Sequence, residues 1–308
     1  MQLRAEAPAK VNLALAVTGR REDGYHTLRS VFLRLALHDT LGVDIDETIS
    51  EDTLVVDGEG VAAGPANLVL QAVRQMRELV GGPLPPLRFH LTKRVPVAAG
   101  LGGGSSDGAA AMDLASAAWG VRLHPSARLE AALRLGADVP FFSAGHAASL
   151  VGGVGEALQP LPAPHPPAGL LLITPAERLG TAEVFAEYDR SAPSVSVAGI
   201  RVDELAGVLR ESIDGMTLAA TTPMLGEAND LWAPAARLSP SLAALRETVG
   251  AVTGHTLLLT GSGPTLFAVY PSEGAAERAA EQLRAQALGE LEGATIIATA
   301  TVKEGADA

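Results

Sequence analysis

Apolar residues alternate with polar ones, or form short runs, along much of the first hundred positions, and both patterns predict strands. Residues 3–7 and 11–17 are interpreted as two strands joined by a turn at 8–10, and the second is expected to be central because it is mostly apolar. Three later stretches also predict strands, with acidic turns in the second: 27–33, 41–57 and 87–92. The first part of the chain is therefore expected to be rich in strands.

Apolar residues recur at helical spacing after Asn67, which is interpreted as the N-cap of an amphipathic helix that ends near Leu79. A second helix is predicted over 125–135. A third helix, built from small residues, is expected to follow Asp107 and to end near Gly120.

The second half of the chain predicts strands crossed by helices in an α+β layer. Strands are predicted over 170–174, 256–260, 265–270 and 294–302, and helices from Thr181 and over 227–232, 239–249 and 273–287. Residues 189–226 are weakly patterned and are expected to form a mobile helical excursion. The proline-rich stretch 159–167 predicts a boundary between two domains, 1–159 and 160–308.

Composition narrows the class of protein. The chain has no cysteine, which excludes disulfides and thiolate metal sites, and its formal charge of −12 argues against a broad surface for nucleic acid or anionic membranes. Its apolar runs are too short to span a bilayer and its N-terminus lacks the pattern of a signal peptide. The absence of cysteine makes a cytoplasmic protein the default expectation.

The stretch Pro96–Asp107 (PVAAGLGGGSSD) is the strongest functional signal in the chain. Glycines let a ligand approach the backbone, and Ser105, Ser106 and Asp107 stand where helix N-cap residues belong. Backbone N–H groups at a helix N-terminus suit a phosphate. The alternatives are a flexible linker or a tight strand-to-helix turn without a ligand. No lysine follows the last glycine, as a Walker A loop requires, and the spacing is not that of a dinucleotide fingerprint.

Three other positions are candidates whose role the residues alone leave open. Lys10, one of only three lysines, is either a functional cation or a solvated lysine at a strand start. The pair Tyr25-His26 at a loop end serves either packing or recognition of a flat ligand. Asp138, an acid among apolar residues, is either a helix N-cap or a buried functional carboxylate.

Three motifs taken together carry a resemblance to a known family. They are Pro8–Leu13 (PAKVNL), the glycine-rich loop 96–107, and Leu259–Thr265 (LTGSGPT). In this combination the chain resembles the GHMP kinase superfamily of small-molecule kinases. The resemblance implies an α+β, two-domain fold: an N-terminal ATP-binding domain of the ribosomal protein S5 domain 2-like type, a C-terminal ferredoxin-like layer, and an active site in the cleft between them.

Further segments are similar to one branch of that superfamily. Arg21–His26 (REDGYH) and Gly136–Phe142 (GADVPFF) look like the branch that phosphorylates the 2-hydroxyl of 4-diphosphocytidyl-2-C-methyl-D-erythritol with ATP, in the non-mevalonate route to isoprenoid precursors. The resemblance implies ATP and Mg²⁺ as cofactors and a small-molecule substrate, with no nucleic acid or membrane partner. A monomer or weak homodimer is expected.

The resemblance also implies roles for individual residues. Asp138 would be the general base, with Lys10 paired to it. The ATP phosphates would be held by Pro96 and the loop Gly100, Leu101, Gly102, Gly103, Gly104, Ser105 and Ser106, and Asn67 would lie near the adenine. Asp107 stands where asparagine is frequent in the family, so its charge is expected to need Mg²⁺ or an outward-facing side chain.

The substrate would be held through its cytosine. His26 would hydrogen-bond the edge of the base, Tyr25 would stack on one face, and Phe185, four residues after Thr181, on the other. Asn12 would contact the hydroxyls near the reacting centre. Two alternatives stay open: another kinase of the superfamily, acting on homoserine or mevalonate, and a non-catalytic nucleotide or sugar sensor.

Overall fold

The computed structural model describes residues 3–58, 60–191, 196–286 and 288–303. Its contacts cluster into two compact units, each built from several segments. The first contains Met1–Ala9, Leu37–Val97 and Gly102–Gly145, and the second contains Lys10–Ala36, Ala98–Leu101 and His146–Ala308. The division of the chain into domains 1–159 and 160–308 stays a prediction.

The first two strands are long and pair with each other. β1 covers Leu3–Arg20 and β2 covers His26–Ile45, and both contribute to both units. The predicted turn at 8–10 is therefore wrong, and so is the predicted break before residue 41. Pro8 is accommodated within β1, which pairs with β2 outside the main strand order of the sheet, as prolines at sheet edges do.

The first unit places helices against a small sheet. β3 (Thr53–Asp57) runs parallel to β4 (Leu87–Thr92), and β4 runs antiparallel to the end of β2, with Thr40 opposite Thr92. The helices of this unit are α1 (Leu68–Val80), α2 (Gly103–Trp119), α3 (Pro125–Leu135) and α4 (Val139–Ser143). Among its most buried side chains are Met76, Phe89, Met112 and Phe141. The predictions for α1, its Asn67 cap, β4 and α3 are confirmed.

Helix α2 begins earlier than the serines and aspartate of the loop predict. Gly102 occupies the N-cap position in the left-handed conformation (φ 72°), and the helix starts at Gly103. Only glycine adopts that conformation without a steric penalty. Ser105, Ser106 and Asp107 therefore lie inside the first turns of the helix, and the prediction that they cap it is wrong.

The second unit contains two groups of strands. The start of β2 pairs antiparallel with β5 (Ala148–Gly153), which pairs with β6 (Ala157–Leu161). A four-stranded antiparallel sheet has the order β10–β7–β9–β8, where β7 is Gly169–Thr174, β8 Leu258–Leu259, β9 Leu266–Tyr270 and β10 Thr295–Ala300. The helices of this unit are α5 (Thr181–Ser191), α6 (Val197–Arg210), α7 (Gly215–Thr221), α8 (Trp232–Leu238), α9 (Pro240–Thr253) and α10 (Glu273–Arg284).

One predicted helix of the second unit is wrong. Residues 227–232 do not form one, because this segment pairs with β1: Leu15 N–H donates to the carbonyl of Ala228, and Asp230 N–H donates to the carbonyl of Leu15. The weakly patterned stretch 189–226 contains α6 and α7, with 192–195 outside the described residues. Residue 287, the predicted end of α10, also lies outside them. In the part of the chain that the structure describes, no helix has the length and apolar character needed to cross a membrane.

Candidate active site

Lys10 is buried within β1. Its side chain packs in the second unit with 3% of the residue exposed. The Nζ atom donates a hydrogen bond to Asn12 Oδ1 at 2.7 Å and lies 4.7 Å from the centroid of the Phe32 ring. A lysine is rarely buried without a specific partner. The alternative of a solvated lysine at a strand start is therefore wrong.

Asn12 is held from several sides in the same unit. Its Nδ2 donates to Ser30 Oγ at 2.9 Å, and Ser30 Oγ donates to the carbonyl of Ala14 at 2.6 Å. The backbone N–H of Asn12 donates to Thr260 Oγ1 at 3.1 Å. The amide of Asn12 is thus fixed in orientation, with its oxygen turned toward Lys10.

The three sequence motifs meet in the second unit. Lys10 N–H donates to the carbonyl of Leu101 at 2.9 Å, and Thr260 Oγ1 lies 3.1 Å from the carbonyl of Gly100. A Cβ on Gly100 would lie 2.4 Å from the carbonyl oxygen of Thr260, and Gly100 has φ 77°. Only glycine fits at this position, for reasons of both space and backbone conformation.

The rest of the glycine loop forms the start of α2 in the first unit. No side chain of the described residues caps this helix, so its first amide groups are left for another acceptor. Gly104 is exposed, and Gly103 packs so closely that a Cβ there would lie 3.0 Å from Val95 Cγ1. An uncapped helix N-terminus lined by glycines is chemically suited to a phosphate group. These residues therefore fit the phosphates of a nucleotide.

Asp138 precedes the short helix α4. It occupies the N-cap position but its side chain makes no capping hydrogen bond, and the residue is half-buried. A Cβ on Gly136 would lie 3.9 Å from Ser105 Oγ, so the segment that leads to Asp138 adjoins the start of α2. The first unit thus places Gly136, two residues before Asp138, beside the start of α2.

The other predicted nucleotide residues take distinct positions in the first unit. Asn67 caps α1: its Oδ1 accepts from Val69 N–H and its Nδ2 donates to the carbonyl of Ala62, both at 2.9 Å. Pro96 is half-buried in the turn before α2. Ser106 is only 1% exposed, and its Oγ has no hydrogen-bond partner among the described residues. A buried hydroxyl without a partner is unusual.

An ion cluster that the sequence did not predict lies beneath the loop. Lys93 Nζ lies 2.5 Å from Asp39 Oδ2 and 2.8 Å from Asp107 Oδ2, and all three side chains are almost fully buried. Asp39 Oδ1 also accepts hydrogen bonds from the backbone N–H groups of Arg94 and Val95. Of the two expectations for Asp107, the outward-facing side chain is wrong, because the side chain is buried and paired with Lys93.

The pKa of Asp107 is unusually high for a carboxyl group. Burial raises the pKa of Asp107 to about 7, although Lys93 lowers it, and the nearby Asp39 adds to the rise. One lysine is shared between two buried carboxylates, so ionisation of both would leave one negative charge that Lys93 does not neutralise. No sequence pattern joins positions 39, 93 and 107, although Lys93 could be singled out as a rare lysine.

The predicted substrate residues His26 and Phe185 lie in the second unit and contact each other. Their rings stack with centroids 4.8 Å apart and planes at 19°, and His26 Nε2 lies 2.7 Å from Asp189 Oδ1. Tyr25 is 69% exposed. The His26 side chain thus both packs against an aromatic ring and makes a hydrogen bond. Sequence reasoning missed its partner Asp189, although a residue four positions after Phe185 lies on the same face of a helix.

Thr181 and Ser262 connect two more of the predicted segments. Thr181 begins α5, and its hydroxyl lies 2.9 Å from Ser262 Oγ. The helix that carries Phe185 is therefore tied to the 261–263 turn. Among the described residues, His, Asp and Glu side chains form no group of three that could hold a metal ion.

Comparison with known proteins defines the class. The model of the GHMP kinases N terminal domain matches residues 67–146, and that of the GHMP kinases C terminal domain matches residues 217–288. The crystal structure of a homoserine kinase from Cytophaga hutchinsonii has a TM-score of 0.67 at 15% identity and covers 97% of this chain and 94% of that one. That likeness concerns the fold alone, and the predicted fold class is confirmed.

More similar proteins define the family more narrowly. A 4-diphosphocytidyl-2-C-methyl-D-erythritol kinase of Paramagnetospirillum magneticum is 38% identical over 282 residues, which cover 91% of this chain and 93% of the relative. A crystal structure of 4-(cytidine 5′-diphospho)-2C-methyl-D-erythritol kinase has a TM-score of 0.73 at 32% identity and covers 97% of this chain and all of that one. The chain belongs to the GHMP kinases, in the family of 4-diphosphocytidyl-2-C-methyl-D-erythritol kinases. It is a small-molecule kinase, and kinases of this class use ATP as the phosphate donor.

Proposed function

We propose that the chain transfers the γ-phosphate of ATP to the 2-hydroxyl of 4-diphosphocytidyl-2-C-methyl-D-erythritol. The observation that supports this substrate is the stack of His26 on Phe185. It offers an imidazole edge beside an aromatic ring, which suits recognition of a flat base. The names of the relatives support the same substrate. Exposed Tyr25 would provide a further stacking surface on the bound cytosine.

Asp138 is proposed as the general base. Phosphoryl transfer depends mostly on positioning and charge neutralisation, and the attacking hydroxyl must lose its proton. A half-buried carboxylate can accept that proton, and Asp138 belongs to the same unit as the start of α2. Lys10 would stabilise the developing alkoxide, while Asn12 would orient the hydroxyls of the substrate.

The glycine loop is proposed to hold the phosphates of ATP. Backbone amides at the start of α2 would donate to the phosphate oxygens, with the hydroxyls of Ser105 and Ser106 as further polar groups. Asn67 would contact the adenine from the start of α1. Mg²⁺ typically binds one or two protein oxygens together with substrate phosphates, so the lack of a carboxylate cluster among the described residues does not conflict with it. When bound, Mg²⁺ would neutralise the phosphate charge.

The two alternatives make different demands on the site. A homoserine or mevalonate kinase has no base to bind and needs no counterpart of the His26–Phe185 stack. A nucleotide or sugar sensor needs neither a buried lysine nor a carboxylate for proton transfer. The presence of all these groups favours the cytidyl kinase.

The test is a coupled ATP-turnover assay with three alcohols: the cytidyl substrate, mevalonate and homoserine. Wild type is expected to turn over only the first. Asp138→Asn is expected to lose turnover and to retain ATP binding by calorimetry, whereas the control Asp113→Asn, which alters an exposed carboxylate paired with Arg128 in the same unit, is expected to behave as wild type. Turnover of another alcohol would overturn the proposed substrate specificity. Full activity of Asp138→Asn would overturn the proposed role of Asp138 as general base.

A further inference from the structure

One face of α5 holds the His26 ring. Phe185 stacks on the ring, Tyr188 meets it edge-on with centroids 6.2 Å apart, and Asp189 Oδ1 lies 2.7 Å from Nε2. Positions 185, 188 and 189 are spaced i, i+3 and i+4, so they share one side of the helix. The His26 side chain is only 10% exposed. Three contacts from a single helix therefore fix the orientation of this imidazole.

The contact with Asp189 decides which ring nitrogen carries the proton. An ionised carboxylate only accepts hydrogen bonds, so Nε2 must donate to Asp189 Oδ1. In a neutral imidazole the other nitrogen, Nδ1, then has a lone pair and acts as an acceptor. Nδ1 has no hydrogen-bond partner among the described residues. Arg20 Nη1 lies 3.2 Å from Asp189 Oδ2, which helps to orient the carboxylate.

We propose that Asp189 is a positioning residue that fixes His26 as the Nε2–H tautomer, so that Nδ1 accepts a hydrogen bond from the exocyclic amino group of cytosine. The inference rests on the proposed function, which places a cytosine against His26. Uracil carries a carbonyl oxygen where cytosine carries the amino group. That oxygen would face the Nδ1 lone pair, and the site would therefore select cytosine over uracil.

The size of the selection follows from the chemistry of the hydrogen bond. A site that hydrogen-bonds a polar group of its substrate rejects an analogue that cannot make the bond, because the buried partner is left unpaired. Without the Asp189 carboxylate the imidazole can adopt either tautomer. The Nδ1–H tautomer would donate to the carbonyl of uracil as readily as the Nε2–H tautomer accepts from the amino group of cytosine. Removal of Asp189 is therefore expected to reduce the cytosine preference by about tenfold or more.

The experiment compares Asp189→Ala with Asp203→Ala. Asp203 is an exposed carboxylate of the same unit that pairs with Arg29, so the control removes the same groups without touching His26. The first readout is the protonation of the His26 ring nitrogens by two-bond ¹H–¹⁵N NMR without ligand, with the signals assigned through His26→Gln. We expect a non-protonated Nδ1 in wild type and Asp203→Ala, and a mixture of tautomers in Asp189→Ala.

The second readout is kcat/KM for the cytidyl substrate and for its uridyl analogue. Wild type and Asp203→Ala should prefer the cytidyl compound strongly, and Asp189→Ala should lose most of that preference while KM for ATP stays unchanged. A protonated Nδ1 in wild type, or an unchanged preference in Asp189→Ala, would overturn the role of Asp189 even though the enzyme acts on the cytidyl substrate. Failure of wild type to phosphorylate that substrate would instead overturn the proposed function, and the NMR result would still report on the tautomer.

Discussion

The ammonium of Lys93 lies 2.8 Å from Asp107 Oδ2, yet the pKa of Asp107 is raised to about 7. Burial penalises the charged carboxylate more than the lysine stabilises it, because Lys93 is shared with Asp39. The folded chain therefore holds a proton on Asp107 in a pH range where the unfolded chain releases it.

This relationship predicts how stability changes with pH. The ordinary pKa of 3.8 applies to the unfolded chain, so from there to about 7 the folded state binds more protons, and the free energy of unfolding falls as pH rises through this range. Asp107→Asn should remove this part of the pH dependence of the free energy of unfolding. Urea unfolding of wild type and variant at several pH values measures the difference.

The matched control for this experiment is Asp113→Asn, which changes an exposed carboxylate on the same helix. It should unfold with the pH dependence of wild type. If Asp107→Asn kept the full wild-type slope, the shifted pKa of Asp107 would not be the cause.

Gly100→Ala should destabilise the second unit strongly. The new Cβ would lie 2.4 Å from the carbonyl oxygen of Thr260, in a residue with φ 77°. The positive φ alone costs about 1 kcal/mol, and the steric conflict with backbone atoms should raise the loss of unfolding free energy above about 2 kcal/mol. Gly254→Ala provides the control, since it has φ 68° with nothing within 4 Å of the new Cβ. Equal losses in the two variants would show that the Thr260 contact does not constrain the loop.

Lys10→Met should reduce kcat by at least about a hundredfold, as expected for loss of a cation that stabilises the developing charge. Methionine has a similar length and tolerates the position beside the Phe32 ring, so the fold should persist. Single-turnover phosphoryl transfer and circular dichroism measure the two effects. Lys303→Met, at an exposed lysine, should leave both unchanged.

Asn67 has two separable roles, one in stability and one proposed in nucleotide binding. Asn67→Ala should cost about 1 kcal/mol, because the N-cap bond to Val69 N–H is lost, whereas Asn67→Ser retains a capping oxygen. If Asn67 also contacts the adenine, both variants should raise KM for ATP, although the serine variant unfolds like wild type. If Asn67→Ser had both the stability and the KM for ATP of wild type, the proposed contact of Asn67 with the adenine would be wrong.

The sequence predicted those elements best whose local pattern matches their final environment. Helix α1 follows a clear amphipathic repeat with an Asn cap, and α3 begins at a proline and ends before a glycine, so both were bounded closely. The loop was predicted to bind phosphate, and this stays a prediction. The start of its helix was misplaced because serine is a common cap and the local pattern does not reveal the left-handed Gly102.

What escaped prediction depends on contacts between distant positions. Residues 227–232 were read as helical because nothing local reveals that Ala228 and Asp230 bond to Leu15. Asp189 and the partners of Lys93 were missed for the same reason. The roles proposed for Lys10, Asp138 and His26 depend on combinations of motifs, since each residue alone admits a structural explanation.

Thr260 Oγ1 accepts a hydrogen bond from the backbone N–H of Asn12, and the two residues are 248 positions apart in the sequence. Such a separation has a consequence for folding during synthesis, because contacts between distant segments form late. The strand that carries Lys10 and Asn12 leaves the ribosome well before Thr260, which is 248 positions later than Asn12. The strand around Lys10 therefore stays incompletely paired during synthesis, and its contacts with the 260–261 segment form only after most of the second unit has been made.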